Sequence, residues 1–354
     1  MNNNIVNGSA RQEIKWIHLL RVVACMMVVS LHSLPPADEF VLTDAEVNFK
    51  NIIILLTKPC VPLFFMITGF LILPYKESDF MLFYKKRLPR VLFPLLSWGV
   101  IYAILPYWLG MCDEKIMIIE LFLSPIKTPE LIGGILWYIF ILIGIYLFIP
   151  FLTKEIYTDK RIVSMYLLLW LIASILYIFH KKVPDLLGEN QYENNFNLLI
   201  YFWGYFGYVL MGYSIKKWGC IENFFTTRTT GGKKYYLLIY LLLIIISVLI
   251  PSLASQFPRI GVVIMSYSLF MLIKDVDVTI GGNFFYNIVR TISKYSFGIF
   301  LCHMLVFRIF SINIYRYFGT VWYWQFTVML ITFVVGYFIS RLISMLPKAS
   351  YITG

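Results

Sequence analysis

Charge is scarce in this sequence, and no cysteine framework is present. Charged residues make up 14% of the 354 residues, whereas hydrophobic residues make up 60%. About a quarter of an ordinary soluble domain is charged, so this composition excludes one. The five cysteines are scattered and show neither disulfide nor metal-ligand spacing, so no metal is expected. They are Cys25, Cys60, Cys112, Cys220 and Cys302.

The sequence shows no sign of a soluble domain, a low-complexity tract or an internal repeat, and the first apolar run is not expected to be a cleavable signal peptide. Arg21 interrupts the first apolar run, and no small-residue cleavage pattern follows it. We therefore expect one membrane domain over residues 1–354. It would have an N-terminal segment at 1–15, a transmembrane bundle at 16–346 and a tail at 347–354.

Long apolar runs recur from end to end. Runs of about 20 apolar residues can cross the roughly 30 Å hydrocarbon layer of a bilayer. These runs are continuous rather than alternating, which favours helices over a closed barrel. The sequence therefore predicts an all-α integral membrane protein, a single bundle of about ten transmembrane helices. The expected spans are residues 16–34, 51–73, 91–110, 131–152, 162–180, 196–215, 235–253, 258–274, 284–307 and 320–346.

The distribution of basic residues predicts the topology. An even number of spans puts both termini on one side, and loops rich in Lys and Arg stay in the cytoplasm. With cytoplasmic termini, most Lys and Arg residues fall in inner segments and most Asp and Glu residues in outer ones. The net charge of +11 is then explained by topology, so a nucleic-acid partner is not expected.

Arg21 and His32 stand out in the first span. Eleven residues separate them, about three helical turns, so both side chains lie on one helix face about 16 Å apart. A buried cation in a membrane is expected to face the bundle interior or a wet cavity, which favours a polar pathway. The alternative is that Arg21 reaches back to the interface and His32 ends the helix before Pro35 and Pro36.

Residues 84–90 place four cations directly before the third span. These are Lys85, Lys86, Arg87 and Arg90. Such a cluster usually anchors the topology or binds anionic lipid heads. The alternative is a dock for a phosphorylated soluble ligand, because arginine forks suit phosphate.

The second span contains residues that disturb a helix. Pro62 removes a backbone donor and Gly69 lets another helix approach, so a break or a close crossing is expected. Thr68 could donate to a buried ligand, or bond back to its own helix. Late in the chain, His303 and Arg308 are five residues apart and do not share a helix face.

Several motifs together resemble the acyltransferase-3 family of integral membrane acyltransferases. In chain order they are Arg21 with His32, Val61-Pro62-Leu63-Phe64-Phe65-Met66-Ile67-Thr68-Gly69-Phe70, Lys86-Arg87-Leu88-Pro89-Arg90, Leu136-Trp137-Tyr138, and Ser296-Phe297-Gly298-Ile299-Phe300-Leu301-Cys302-His303. The resemblance covers nearly the whole chain. Its single-domain form is most similar to the enterobacterial common antigen O-acetyltransferase type.

The resemblance implies an O-acyltransferase of the bacterial cytoplasmic membrane. It would move an acyl group, usually acetyl, from cytoplasmic acyl-CoA to a hydroxyl of a surface glycan or a lipid-linked precursor. By position, it makes His32 the catalytic histidine and Arg21 its paired arginine. His32 is expected to act as the general base toward the acceptor hydroxyl, and a covalent acetyl-imidazole intermediate is the alternative. Arg87 and Arg90 would form the family's cytoplasmic basic motif, and together with Lys86 they are expected to bind acetyl-CoA. The expected partners are acyl-CoA, the glycan acceptor and membrane lipids, and a homo-oligomer is left open.

A thioester reaction also needs donors for the developing oxyanion. The candidates for substrate or oxyanion contact are Thr68, Trp137, Tyr138 and His303. Some relatives carry a histidine where this chain has Ile135, so no histidine role is expected in that turn.

Two other functions fit parts of the sequence. A transporter or exporter of a polar solute or glycan intermediate would also place ionisable groups inside a bundle. The chain shows no inverted repeat and no matched pair of broken helices, which are the usual signs of alternating access. A structural subunit would explain the basic cluster and the aromatic residues, but not the ordered set of motifs.

Overall fold

The fold is helical throughout the residues that the computed structural model describes, which are 13–75, 80–126, 134–152, 156, 158–172, 197–219, 232–249 and 260–353. No strand occurs in those ranges. The helices are α1 (Lys15–His32), α2 (Asp44–Thr57), α3 (Cys60–Ile72), α4 (Phe80–Arg87), α5 (Pro89–Trp108), α6 (Glu114–Leu123), α7 (Trp137–Phe148), α8 (Asn197–Trp218), α9 (Gly232–Leu249), α10 (Ile260–Ile273), α11 (Gly282–Val306), α12 (Ile312–Phe318), α13 (Trp322–Ile343) and α14 (Ser350–Thr353). Residues 160–172 are also helical.

Five helical segments in the described part of the chain are long and apolar enough to cross a membrane. They are Lys15–His32, Asp44–Ile72, Phe80–Trp108, Val278–Phe318 and Trp322–Ile343. Two shorter apolar segments are Trp137–Phe151 and Ile260–Ile273. The prediction of an all-α membrane bundle is confirmed, while the total of ten spans and the side of each terminus stay predictions. The predicted span at 162–180 lies outside the described residues from position 173 onward.

The predicted second span is two helices separated by a break. α2 begins at Asp44 behind a capping box in which the Thr43 and Glu46 side chains satisfy each other's backbone N–H groups. It ends at Thr57, and α3 starts two residues after Lys58. Pro62 lies in the first turn of α3, where its missing N–H costs no hydrogen bond.

α3 and α8 cross with their backbones in contact. A Cβ added at Gly69 would lie 1.8 Å from the carbonyl oxygen of Val209. On the partner helix, a Cβ at Gly212 would lie 2.0 Å from the carbonyl oxygen of Met66. Only glycine permits this approach, and the predicted close crossing is confirmed.

The basic stretch at residues 84–90 is helical on both sides of Leu88. α4 ends at Arg87 and α5 begins at Pro89. The Leu88 N–H donates to the Tyr84 carbonyl at 2.9 Å, and the Leu92 N–H donates to the Leu88 carbonyl at 2.9 Å. Proline is tolerated at a first helical position, so the chain continues across the corner without a loop.

α1 packs against both α3 and α11, and α11 also packs against α13. The buried side chains of α1 include Leu20, Ala24 and Val28. The Tyr102 hydroxyl of α5 donates to the Leu301 carbonyl of α11 at 2.5 Å. These contacts hold the C-terminal half of α11 in the centre of the bundle, beside the end of α1.

Candidate active site

A cavity of about 280 Å³ lies between α1, α3, α5, α7 and α11. Its apolar lining is Val28, Val61, Phe64, Ile67, Val91, Leu142, Phe297 and Phe300. Its polar lining is Arg21, Thr68, Arg87, Arg90, Tyr138, Tyr146, Ser293, Lys294 and Ser296. No carboxylate occurs among the described residues that line it. The cavity is therefore lined by both apolar and polar side chains, and all of its charged groups are cations.

Arg21 is half-buried and lines this cavity. No acidic side chain in the described part of the chain forms an ion pair with it. The hydroxyl-bearing rings of Tyr138 and Tyr146 line the same space. The Arg21 guanidinium is thus directed to the interior of the bundle, where its donors are available to a ligand.

One end of the cavity is a basic mouth formed by Arg87, Arg90 and Lys294. Arg90 and Lys294 are exposed, and Arg87 is half-buried. Lys294 comes from α11 and was not among the predicted site residues. Lys86 is exposed and does not line the cavity, because it lies on another face of the α4 turn.

A hydrogen-bond network of four residues lies beside this mouth: Glu13, His18, Arg290 and Ser293. His18 Nδ1 lies 3.0 Å from the Ser293 hydroxyl, and its Nε2 lies 2.8 Å from a Glu13 carboxylate oxygen. The Arg290 Nε donates to the same oxygen at 2.9 Å. Desolvation raises the pKa of Glu13, but hydrogen bonds from Arg290 and His18 outweigh it, so the pKa lies below its usual value. The network ties the start of α1 to α11.

His32 is the last residue of α1 and is not among the residues that line the cavity. Its ring faces that of His303, with ring centres 5.3 Å apart and planes at 49°. Val28, one turn before His32, lines the cavity, and so does Phe300, whose ring centre is 5.9 Å from that of His303. We call His32 and His303 the histidine pair.

His303 is fully buried and its ring is held by its own helix. Nδ1 lies 2.5 Å from the Phe300 carbonyl oxygen, which can only accept a hydrogen bond. Nδ1 therefore carries the proton, and Nε2 presents a lone pair. Nε2 has no hydrogen-bond partner among the described residues. In this tautomer Nε2 of His303 can accept a hydrogen bond but cannot donate one.

The other oxyanion candidates differ in their positions. Thr68 lines the cavity, but its hydroxyl donates to the Phe64 carbonyl at 2.9 Å, so it bonds back to its helix. Tyr138 lines the cavity and packs at 5.4 Å from Phe300. Trp137 lies outside the cavity lining. Tyr138 is therefore the candidate among these three that lines the cavity and whose hydroxyl does not bond back to its own helix.

Polar groups also gather beyond the histidine pair. Glu39 accepts hydrogen bonds from Arg308 and, at 3.4 Å, from Arg316. The hydroxyls of Ser33 and Ser311 are buried and have no partner among the described residues. Residues Phe307–Ser311 form a π-helical turn, a distortion that is frequent at functional sites.

The described residues contain no cluster of three His, Cys, Asp or Glu side chains that would hold a metal ion. The family model described as an acyltransferase domain, acyltransferase-3, matches residues 14–344. No curated protein and no solved structure matches the chain. Because the family match covers nearly the whole sequence, the chain belongs to the acyltransferase-3 family and is a multi-pass membrane acyltransferase.

Proposed function

We propose that the protein is an O-acetyltransferase of the bacterial cytoplasmic membrane, of the enterobacterial common antigen type. It transfers an acetyl group from cytoplasmic acetyl-CoA to a hydroxyl of a surface glycan or a lipid-linked glycan precursor. One observation supports the proposal: Arg87, Arg90, Arg21 and Val28 line a single cavity, and Val28 lies one helical turn before His32. A phosphorylated donor and a proton acceptor would meet along such a passage.

The basic mouth suits the phosphates of coenzyme A. Arginine forks bind phosphate oxygens in pairs, and Lys294 adds a third cation. The cavity volume of about 280 Å³ is at the lower end of ligand sites, so it accommodates the pantetheine arm and not the nucleotide. The nucleotide would lie outside, on the mouth, and the arm would pass Arg21 with the thioester foremost.

His32 is the proposed general base. A neutral imidazole takes the proton of the acceptor hydroxyl as the hydroxyl oxygen attacks the thioester carbonyl carbon. The new C–O bond forms and the C–S bond breaks. The thiolate of coenzyme A leaves and receives the proton from His32, so the products are the acetyl ester and the free thiol.

The developing oxyanion requires donors within the passage. Tyr138 supplies a hydroxyl on the cavity wall, in a low-dielectric site where such a donor contributes more than it would in water. Arg21 lies about 16 Å along α1 from His32, so its guanidinium would contact the pantetheine arm and not the thioester oxygen.

The acceptor is proposed to enter from the opposite side. Support comes from the buried, unpaired hydroxyls of Ser33 and Ser311, which suit a ligand rich in hydroxyl groups. The pairing of Glu39 with Arg308 holds the segment after α1 beside this region.

The test uses membranes that contain equal amounts of wild type, His32→Ala and Met26→Ala. Met26 is an exposed residue on another face of the same helix, so its variant controls for general effects on α1. Labelled acetyl-CoA and a lipid-linked glycan acceptor are supplied, and both released thiol and labelled glycan are measured. We expect transfer by wild type and Met26→Ala and none by His32→Ala. Full transfer by His32→Ala, or solute flux without thiol release by the wild type, would contradict the proposal.

A further inference from the structure

We propose that His303 is a positioning residue for His32: its Nε2 accepts the N–H of the His32 ring and fixes the tautomer that leaves the other His32 nitrogen free to act as the base. This inference rests on the proposed function and adds to it a residue with a defined role. The partner of the base is then a second imidazole, in the place where serine hydrolases use a carboxylate.

The tautomer of His303 follows from its backbone contact. The Phe300 carbonyl accepts from Nδ1, so the proton of a neutral ring resides on Nδ1. The remaining nitrogen, Nε2, is an acceptor in a fully buried ring without a hydrogen-bond partner. Buried polar atoms are paired in most proteins, so an orphan acceptor at this place indicates a donor that engages during function.

His32 is the neighbour with a donor in reach. The two ring centres are 5.3 Å apart. At that separation, ring nitrogens that face each other lie about 3 Å apart, the usual hydrogen-bond distance. Rotation of the His32 ring would bring one of its nitrogens toward His303 while Nδ1 of His303 keeps its backbone bond. The other ring beside His303 is that of Phe300, which has no polar atom.

The nearby carboxylate does not serve as the orienting group. Glu39 follows α1 by seven residues and is bound by both Arg308 and Arg316. No other described acidic side chain is recorded in contact with either ring. The acceptor on His303 is therefore the group available to orient the base.

The proposal predicts a defect in turnover, not in donor binding. The basic mouth and the cavity lining do not include His303, so affinity for acetyl-CoA should be unchanged. Without the acceptor on His303, the His32 ring is free to rotate and to exchange between its two tautomers. Only one orientation and one tautomer place a free nitrogen at the acceptor hydroxyl.

The kinetic test compares His303→Gln with His303→Leu. The Gln amide oxygen reaches a position near that of Nε2 and can accept, whereas Leu fills similar space without an acceptor. We expect His303→Leu to lower kcat at least about tenfold, with acetyl-CoA affinity within about twofold of wild type, and His303→Gln to recover most of kcat. Wild-type kcat in His303→Leu, or equal defects in both variants, would overturn the proposal.

A second measurement does not depend on acyl transfer. The sequence has four histidines, so ¹⁵N-histidine labelling gives few ring signals, which His32→Ala assigns. Solid-state NMR in lipid should show one His32 tautomer in wild type and His303→Gln, and a mixture in His303→Leu. A mixture in wild type would refute the role of His303 even if the enzyme transfers acetyl groups. Conversely, a fixed tautomer without acetyl transfer by the wild type would refute the proposed function alone.

Discussion

The crossing of α3 and α8 makes a sharp prediction about stability. Gly69→Ala and Gly212→Ala each introduce a methyl group into a backbone contact, at 1.8 Å and 2.0 Å from a carbonyl oxygen. A backbone atom cannot rotate away as a side chain can. The two helices must separate by about 1.5 Å to restore ordinary contact.

The expected cost is that of overpacking a tight core. Such insertions typically destabilise by about 1–3 kcal/mol, and backbone contacts belong at the upper end. Gly204, in the same α8 helix, is the matched control because a Cβ there would meet nothing within 4 Å. Alanine is about 1 kcal/mol better than glycine inside a helix, so Gly204→Ala should be neutral or slightly stabilising.

Thermal unfolding of purified protein in one detergent would measure this contrast. Gly69→Ala and Gly212→Ala should unfold at clearly lower temperatures than wild type, and Gly204→Ala at the same or a higher temperature. Since α3 also carries cavity residues, both destabilised variants should lose acyl transfer. Equal unfolding temperatures for Gly69→Ala and Gly204→Ala would refute the described crossing.

Two further predictions concern the cavity and its mouth. Arg21→Ala should lower kcat/KM for acetyl-CoA about tenfold or more, as loss of a charge-assisted hydrogen bond to the donor does, and Arg21→Lys should recover part of it; unchanged transfer by Arg21→Ala would contradict its place on the cavity wall. Glu13→Gln removes an exposed pair with Arg290, so it should destabilise by no more than about 1 kcal/mol near neutral pH. The pKa of Glu13 is lower in the folded protein than in the unfolded chain. Its contribution to the free energy of unfolding is therefore present above the unfolded-state pKa and is lost as the pH falls through the folded-state pKa. Thermal unfolding across that range should show wild type and Glu13→Gln converging at low pH, and a constant difference would contradict this.

Patterns within single segments of the sequence predicted much of the helical architecture. The apolar runs predicted membrane helices, and Gly69 predicted a close crossing because glycine alone permits one. The spacing of Arg21 and His32 predicted that they share one face of α1. On that face, Arg21 and Val28 line the cavity, and His32 lies one turn beyond Val28. Each of these inferences depends on a single helix and its period.

Relations between distant segments were not predictable from one sequence. His303 meets His32 across 271 positions, and spacing along either helix contains no information on that contact. Lys294 joined the basic mouth for the same reason.

The most direct test of the account is the binding of acetyl-CoA to purified protein, measured by titration at two salt concentrations. The Arg87→Ala/Arg90→Ala double variant is compared with His32→Ala and with Arg341→Ala, which removes an exposed cation outside the cavity. Charge-assisted hydrogen bonds contribute about 1.5–3 kcal/mol each, so the double variant should bind at least about 100-fold more weakly, with a reduced salt dependence. His32→Ala and Arg341→Ala should bind as wild type does. Wild-type affinity in the double variant would contradict the claim that the basic mouth receives the acyl donor.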